Sequence, residues 1–222
     1  MDSVRGSWLA ALALVGGATS ACLDAPPDAR SGAPDAYPGC PSLGQLSDEF
    51  DAEQPDLWQE FGGRDSCTLA VDGGRLEVDA SGDCGLASAT CYDMSDRWVQ
   101  VDAVMPGPGL EFSVHLNDFG DDLVIAIDKN DALSVRWIDP DGVETALSTL
   151  PFDPAVHQLW RIWHSASENR ITFETAERAA PAWSRLAELW LDGLSVTQVQ
   201  VRLGARDTGG MVAFDSLHGV DL

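Results

Sequence analysis

From about Leu43 to the C-terminus, apolar residues recur at every second position, the period of half-buried strands. Val99, Val101, Ala103 and Met105 alternate with Gln100, Asp102 and Val104, and Pro106-Gly107-Pro108-Gly109 ends that run. Leu110, Phe112, Val114 and Leu116 alternate with Glu111, Ser113, His115 and Asn117. Thr68–Val71 and Arg75–Asp79 flank Asp72-Gly73-Gly74, a hairpin signal. Further strands are predicted over Leu123–Asp128, Leu133–Asp139, Val143–Leu147, Gln158–His164, Ile171–Thr175, Val196–Leu203 and Met211–Leu217. One short helix is predicted over Trp183–Leu189. About a dozen short strands with frequent turns predict an antiparallel sandwich or barrel, in one domain spanning 43–222.

The N-terminus departs from this pattern. Trp8–Val15 is an apolar run too short to span a bilayer, and small residues from Gly16 to Ala21 follow it. Residues 1–21 read as an export signal. Met1-Asp2-Ser3-Val4-Arg5 sets an acid beside its single base, whereas a start at Val4 would give an ordinary basic opening. Thr19-Ser20-Ala21-Cys22 resembles the lipobox of bacterial lipoproteins, which implies lipidation of Cys22. The other reading is simple cleavage after Ala21. Residues 22–42 then form a flexible tether, with Pro26, Pro27, Pro34 and Pro38 and no apolar period. The expected location is the bacterial cell envelope, held by lipid at the outer membrane or cell surface, or secreted if Cys22 is not lipidated.

Charge narrows the partners. The 222 residues carry 13 Lys+Arg against 36 Asp+Glu, a formal net charge of -23. Nucleic acid and anionic lipid both need clustered cations, so neither is expected, and membrane contact would come through the anchor alone. Hydrophobic residues make up 45%, enough for a packed core. With Cys22 assigned to lipid, Cys40, Cys67, Cys84 and Cys91 remain, an even set that predicts two disulfides in an exported protein. Of three pairings, Cys84–Cys91 with Cys40–Cys67 is favoured, the first closing a short loop.

The order of several segments resembles the concanavalin A-like lectin/glucanase superfamily. These are Leu46-Ser47-Asp48-Glu49-Phe50-Asp51 with Leu57-Trp58, Gly74-Arg75-Leu76-Glu77-Val78, His157-Gln158-Leu159-Trp160-Arg161-Ile162, Ile171-Thr172-Phe173-Glu174-Thr175, and the closing Ala213-Phe214-Asp215. The resemblance covers about 180 residues and implies an all-β, antiparallel jelly-roll sandwich with its first and last strands adjacent. It also implies a structural Ca2+, for which Asp48 or Asp51 and Asp215 are the candidate ligands. The acidic loop Asn117–Asp122 is a second candidate.

Catalysis in laminarinase-like members of that superfamily uses Glu-x-Asp-x-Glu on a central strand, where alternation lines up three carboxylates. Glu49-Phe50-Asp51-Ala52-Glu53 matches the string, but it stands at the domain's opening rather than midway along. No G-x-S-x-G elbow, HExxH motif or phosphate loop occurs. A non-enzymatic binding domain is therefore expected. If the larger apolar set of each strand faces inward, the opposite rows present Glu111 and His115, then Arg136, then Arg161 and Trp163. Planar polar groups and an open indole suit sugar hydroxyls and sugar faces, although a solvated sheet shows similar residues. A neutral glycan is the expected ligand, with an envelope protein as the alternative partner.

Overall fold

A computed structural model describes residues 39–63, 67–116, 120–208 and 210–221. The export signal, Cys22, most of the tether and much of the Asn117–Asp122 loop lie outside the described residues. Fifteen strands follow one another: β1 (Ser47–Asp48), β2 (Trp58–Gly62), β3 (Cys67–Val71), β4 (Leu76–Ala80), β5 (Asp83–Ser88), β6 (Arg97–Met105), β7 (Leu110–Leu116) and β8 (Asp121–Ile127). Then come β9 (Ala132–Ile138), β10 (Glu144–Pro151), β11 (Leu159–Ser165), β12 (Arg170–Ala176), β13 (Ser184–Trp190), β14 (Val199–Arg206) and β15 (Val212–Asp221).

They form two antiparallel sheets. One runs β13-β12-β11-β6-β15-β4-β3, with β1 also paired to β15, making eight strands. The other has seven, in the order β10-β9-β8-β7-β14-β5-β2. The predicted hairpin forms between β3 and β4, and the first and last strands pair, Asp48 opposite Leu217. The inward rows follow the period-two pattern. Val99 and Val101 of β6, Phe112 and Val114 of β7, and Trp160 and Ile162 of β11 are fully buried in one apolar cluster between the sheets. Trp160 donates its indole N–H to the carbonyl of His157, so the largest core side chain leaves no polar group unpaired.

Two expectations are corrected. The first is the disulfide pairing, which is Cys40–Cys91 and Cys67–Cys84. An extended β5 carries the chain directly away from Cys84, so Cys91 cannot return to it. Instead Cys84 faces inward and joins Cys67 of β3, tying the two sheets together where their edges meet. The second is the helix over Trp183–Leu189, which is the edge strand β13. Its ladder with β12 is interrupted: Glu174 faces Arg185 while Phe173 faces Ala187, leaving Leu186 as an extra residue. That bulge sets Leu186 and Leu189 three apart, a helical spacing produced by a strand.

Candidate functional site

The five predicted ligand-binding residues do not converge. Glu111, His115 and Arg136 stand on the outer face of the seven-stranded sheet, while Arg161 and Trp163 stand on the outer face of the eight-stranded one. The two outer faces of a sandwich point away from each other, so a single site built from all five is excluded.

On the seven-stranded sheet the charged residues are closed upon one another. Arg136 bonds Glu111 at 2.8 Å and Glu144 at 3.0 Å. Arg206 approaches Glu144 at 3.4 Å, Asp83 at 3.5 Å and Glu111 at 4.0 Å. His115 Nδ1 lies 2.9 Å from Asp122, which also accepts from Arg202 at 3.2 Å. These long side chains lie over a floor of small outward residues, with Ser113, Val124, Ala126 and Ser134 all buried. Burial raises the Glu111 carboxyl above its ordinary range, against the opposing pull of Arg136 and Arg206. Gly85 and Gly204 let β5 and β14 close up here: a Cβ on Gly85 would stand 2.1 Å from the Leu203 carbonyl oxygen. The face is a network of ion pairs closed upon itself, in which, among the described residues, only Arg136 Nε and Arg206 Nε are buried without a partner.

The outer face of the eight-stranded sheet differs in kind. Four of the chain's eight tryptophans lie there or at its edge: Trp98 on β6, Trp163 directly opposite on β11, Trp183 just before β13, and Trp190 at the end of β13. None belongs to the core cluster, and Trp190 is 59% exposed. Arg161 is not the free donor expected from the sequence. Its Nε bonds Glu174 at 2.9 Å, and its guanidinium stacks 3.9 Å from the Trp183 ring and 5.4 Å from the Trp98 ring. Arg170 pairs with both Glu168 and Glu188 and sits 5.6 Å from the Trp190 ring. Three polar atoms in this patch are buried without a hydrogen-bond partner: Trp163 Nε1, Thr172 Oγ1 and Arg170 Nε. Trp163 and Thr172 face each other across the β11–β12 ladder.

Sequence reasoning put Arg161 and Trp163 on an outward row but did not single out Trp98, Trp183 or Trp190 beside them. Trp98 was legible, because Val99 and Val101 face inward and so turn Trp98 outward. Trp190 was hidden by the helical reading of its strand.

The remaining candidates fall out on geometry. Asp48 is 2% exposed, and its carboxylate accepts from the Phe50 backbone N–H at 2.8 Å, Gln54 Nε2 at 2.7 Å and Trp58 Nε1 at 2.6 Å. Three converging N–H donors suit an anion and already occupy most of the acceptor sites of this carboxylate. Asp48 faces inward opposite Leu217, whereas Asp215 is felt by Asp102 and Arg178 on the outer face. The two acids therefore do not form the expected calcium junction. Among the described residues no group of three or more His, Cys, Asp or Glu is placed to hold a metal ion. Glu49-Phe50-Asp51-Ala52-Glu53 lies beyond β1, and Phe50 has φ 51°, so strand alternation does not align its carboxylates. His157 orders the turn before β11 by accepting the Asp153 N–H at 2.9 Å, and burial lowers its pKa. A cavity of about 140 Å³ opens at the β2–β3 edge, lined by Phe50, Trp58, Leu69 and Val71. It is well below the several hundred Å³ usual for a small-molecule site.

No protein-family model matches the chain, and no curated protein matches it by sequence. The fold does have solved counterparts. A legume lectin-like domain from Entamoeba histolytica aligns with TM-score 0.57 and 11% identity, over 80% of this chain and 97% of that one. The exoplasmic/lumenal domain of VIP36, in a Ca2+/Man3GlcNAc-bound form, aligns with TM-score 0.56 and 12% identity, over 76% and 85%. A β-glucanase from Bacillus licheniformis aligns with TM-score 0.54 and 12% identity, over 80% and 98%. At such identities the likeness is one of fold, and that fold is the jelly roll of legume lectin-like and glucanase structures, as the order of segments in the sequence implied.

Proposed function

We propose that this chain is a non-catalytic glycan-binding domain, displayed at the bacterial cell envelope by lipid on Cys22, and that it takes a neutral glycan on the tryptophan-bearing face of its eight-stranded sheet. One observation carries the reading: a solvent-side sheet face holding Trp98 and Trp163 side by side, with Trp190 mostly exposed. Sheet faces turned to water are ordinarily polar. Indole planes left outside the core suit the C–H faces of pyranose rings, and the lectin-like neighbours make sugar the natural ligand class.

Local charge favours an uncharged ligand. Around the tryptophans, Arg161, Arg170 and Arg185 are paired with Glu168, Glu174 and Glu188. The patch is neutral within a chain of net charge -23, so an acidic polysaccharide gains nothing there and is repelled at long range. The same net charge disfavours a second copy of the chain as the occupant. A catalytic reading needs two carboxyl groups free to act as acid and as base or nucleophile. Glu111, the buried carboxyl of the opposite face, is held between Arg136 and Arg206. The β-glucanase neighbour keeps glycan cleavage as the competing class.

The test is a printed array of neutral and uronic-acid glycans, probed with the wild type and Trp163→Ala. Expected are binding to neutral glycans, little dependence on salt, and loss of signal in the variant with its melting temperature nearly unchanged. Turnover of any bound polysaccharide, or capture of an envelope protein lost in the same variant, would replace this reading.

A further inference from the structure

Resting on that reading, we infer that the ligand is a neutral oligosaccharide chain, longer than one ring, laid obliquely across the strands from Trp163 to Trp190 over Thr172 and Arg170. The register of the sheet sets the geometry. Trp98, Trp163, Thr172 and Glu188 form one cross-strand row, and Arg170 faces Trp190 in the next outward row. With strands about 4.8 Å apart and about 3.4 Å of rise per residue, Trp163 and Trp190 are separated by about 12 Å. A single sugar ring cannot reach both, but a short chain can rest one ring on each.

The ground between the two indoles is where the patch lacks partners. Trp163 Nε1, Thr172 Oγ1 and Arg170 Nε are buried and unpaired, and all three lie along this path. Thr172 is 1% exposed although it sits on the outer face. Arg170 is drawn toward Glu168 and Glu188 by its terminal nitrogens, which leaves its Nε without an acceptor. A sugar hydroxyl both donates and accepts. The three atoms are shielded from solvent, so as the side chains over them move aside a hydroxyl can take the N–H of Trp163 and of Arg170 and give to or take from the threonine hydroxyl, where an apolar ligand could do neither. A carboxylate would accept equally well, but it would arrive among Glu168, Glu174 and Glu188. The arrangement thus selects hydroxyl-rich, uncharged rings, in a chain rather than as a monosaccharide.

The experiment takes the neutral glycan that binds best on the array and titrates its series from one to six rings into the mature protein by calorimetry. Affinity is expected to rise at least tenfold once the chain is long enough to span the path, then level off. Trp190→Ala is expected to abolish that gain with the melting temperature nearly unchanged, because Trp190 projects into solvent and its loss does not open the core. Thr172→Val, which keeps the shape, is expected to weaken the longer chains. Binding that is independent of length, unaffected by Trp190→Ala, or stronger for uronic acids would overturn the inference while leaving glycan binding intact. Failure to bind any neutral glycan would remove both. Sedimentation of wild type and Trp190→Ala gives the last arm: a dimer that the variant dissolves would make this face an interface between copies and end the proposal.

Discussion

Asp48 offers a sharp test of how the sandwich is closed. Its buried carboxylate gathers three N–H groups from Phe50, Gln54 and Trp58, and so fixes the chain between β1 and β2. Hydrogen bonds to a charged acceptor contribute about 1.5–3 kcal/mol each, and a buried donor left unpaired costs about 1–3 kcal/mol. Asp48→Ala strands all three donors, although Gln54 is exposed and can turn to water. Charging the loss mainly to Phe50 and Trp58 gives about 3–5 kcal/mol. For a domain of this size that is a drop of about 6–20 °C in melting temperature. Asp48→Asn keeps one acceptor oxygen and sets an amide N–H₂ against a donor, so about half of that loss is expected. The assay is thermal and urea unfolding of wild type and both variants, each with excess Ca2+ and with chelator. The loss in each variant is expected to be the same with Ca2+ and with chelator. Should Ca2+ raise the wild-type melting temperature, and should the rise vanish in Asp48→Asn, the carboxylate is a metal ligand and the donor argument is refuted.

Four further outcomes follow. Non-reduced peptide mapping is expected to recover Cys40 linked to Cys91 and Cys67 linked to Cys84. On the chain-entropy model the 51-residue loop contributes about 4 kcal/mol and the 17-residue loop about 3 kcal/mol, so Cys40→Ser/Cys91→Ser should unfold at lower urea than Cys67→Ser/Cys84→Ser. His164 accepts the Asp96 N–H on Nδ1, and burial lowers its pKa, so the unfolded chain takes up the proton first; relative to His164→Asn, wild-type stability should be complete above about pH 6.5 and fall below it. The mature protein should partition into detergent, and Cys22→Ser should release it or stall its processing; partition unchanged in that variant would refute lipidation. Glu49→Gln and Glu53→Gln should leave glycan binding and any turnover unaltered, and loss of a measurable glucanase activity in both would install that string as catalytic.

Most of the fold was legible because most of the chain alternates. Strands β6, β7, β8, β9 and β11 fall where period two placed them, since each has one row in the core and one outside it. Strand β5 was not found, and the reason is physical. Its outward row is Gly85 and Ala87, chosen for close backbone approach to Gly204 rather than for solvation, so Asp83–Ser88 shows no polar alternation. β2 escaped for a related reason, because Phe61 sits in its outward row and lies over that same glycine. β13 carries a bulge, and a bulge imitates a helical period. The disulfides required knowing which strands share an edge, which sequence spacing does not encode. The outward rows do lie outside the core, but alternation assigns a residue to a face and never says which sheet the face belongs to.

That limit explains why one predicted site became two surfaces; both leave some buried donors unpaired, and they differ in the indole planes that only one of them carries. On the seven-stranded sheet every charged group named above already has a partner of opposite sign, and the outward residues beneath them are small and buried. Adding a ligand there would break ion pairs before making contacts, and removing one partner would leave a buried charge, a change that is strongly destabilising. On the eight-stranded sheet the ion pairs lie among the indoles and hold them in place: Glu174 fixes Arg161, and Arg161 in turn props Trp183 and Trp98. Arg161 occupies a face of Trp183, whereas Trp190 stays mostly exposed, and the unpaired donors lie between Trp163 and Trp190. A preorganised apolar plane beside polar atoms that lack partners is what a hydroxylated ligand can complete, and it loses little side-chain freedom in doing so.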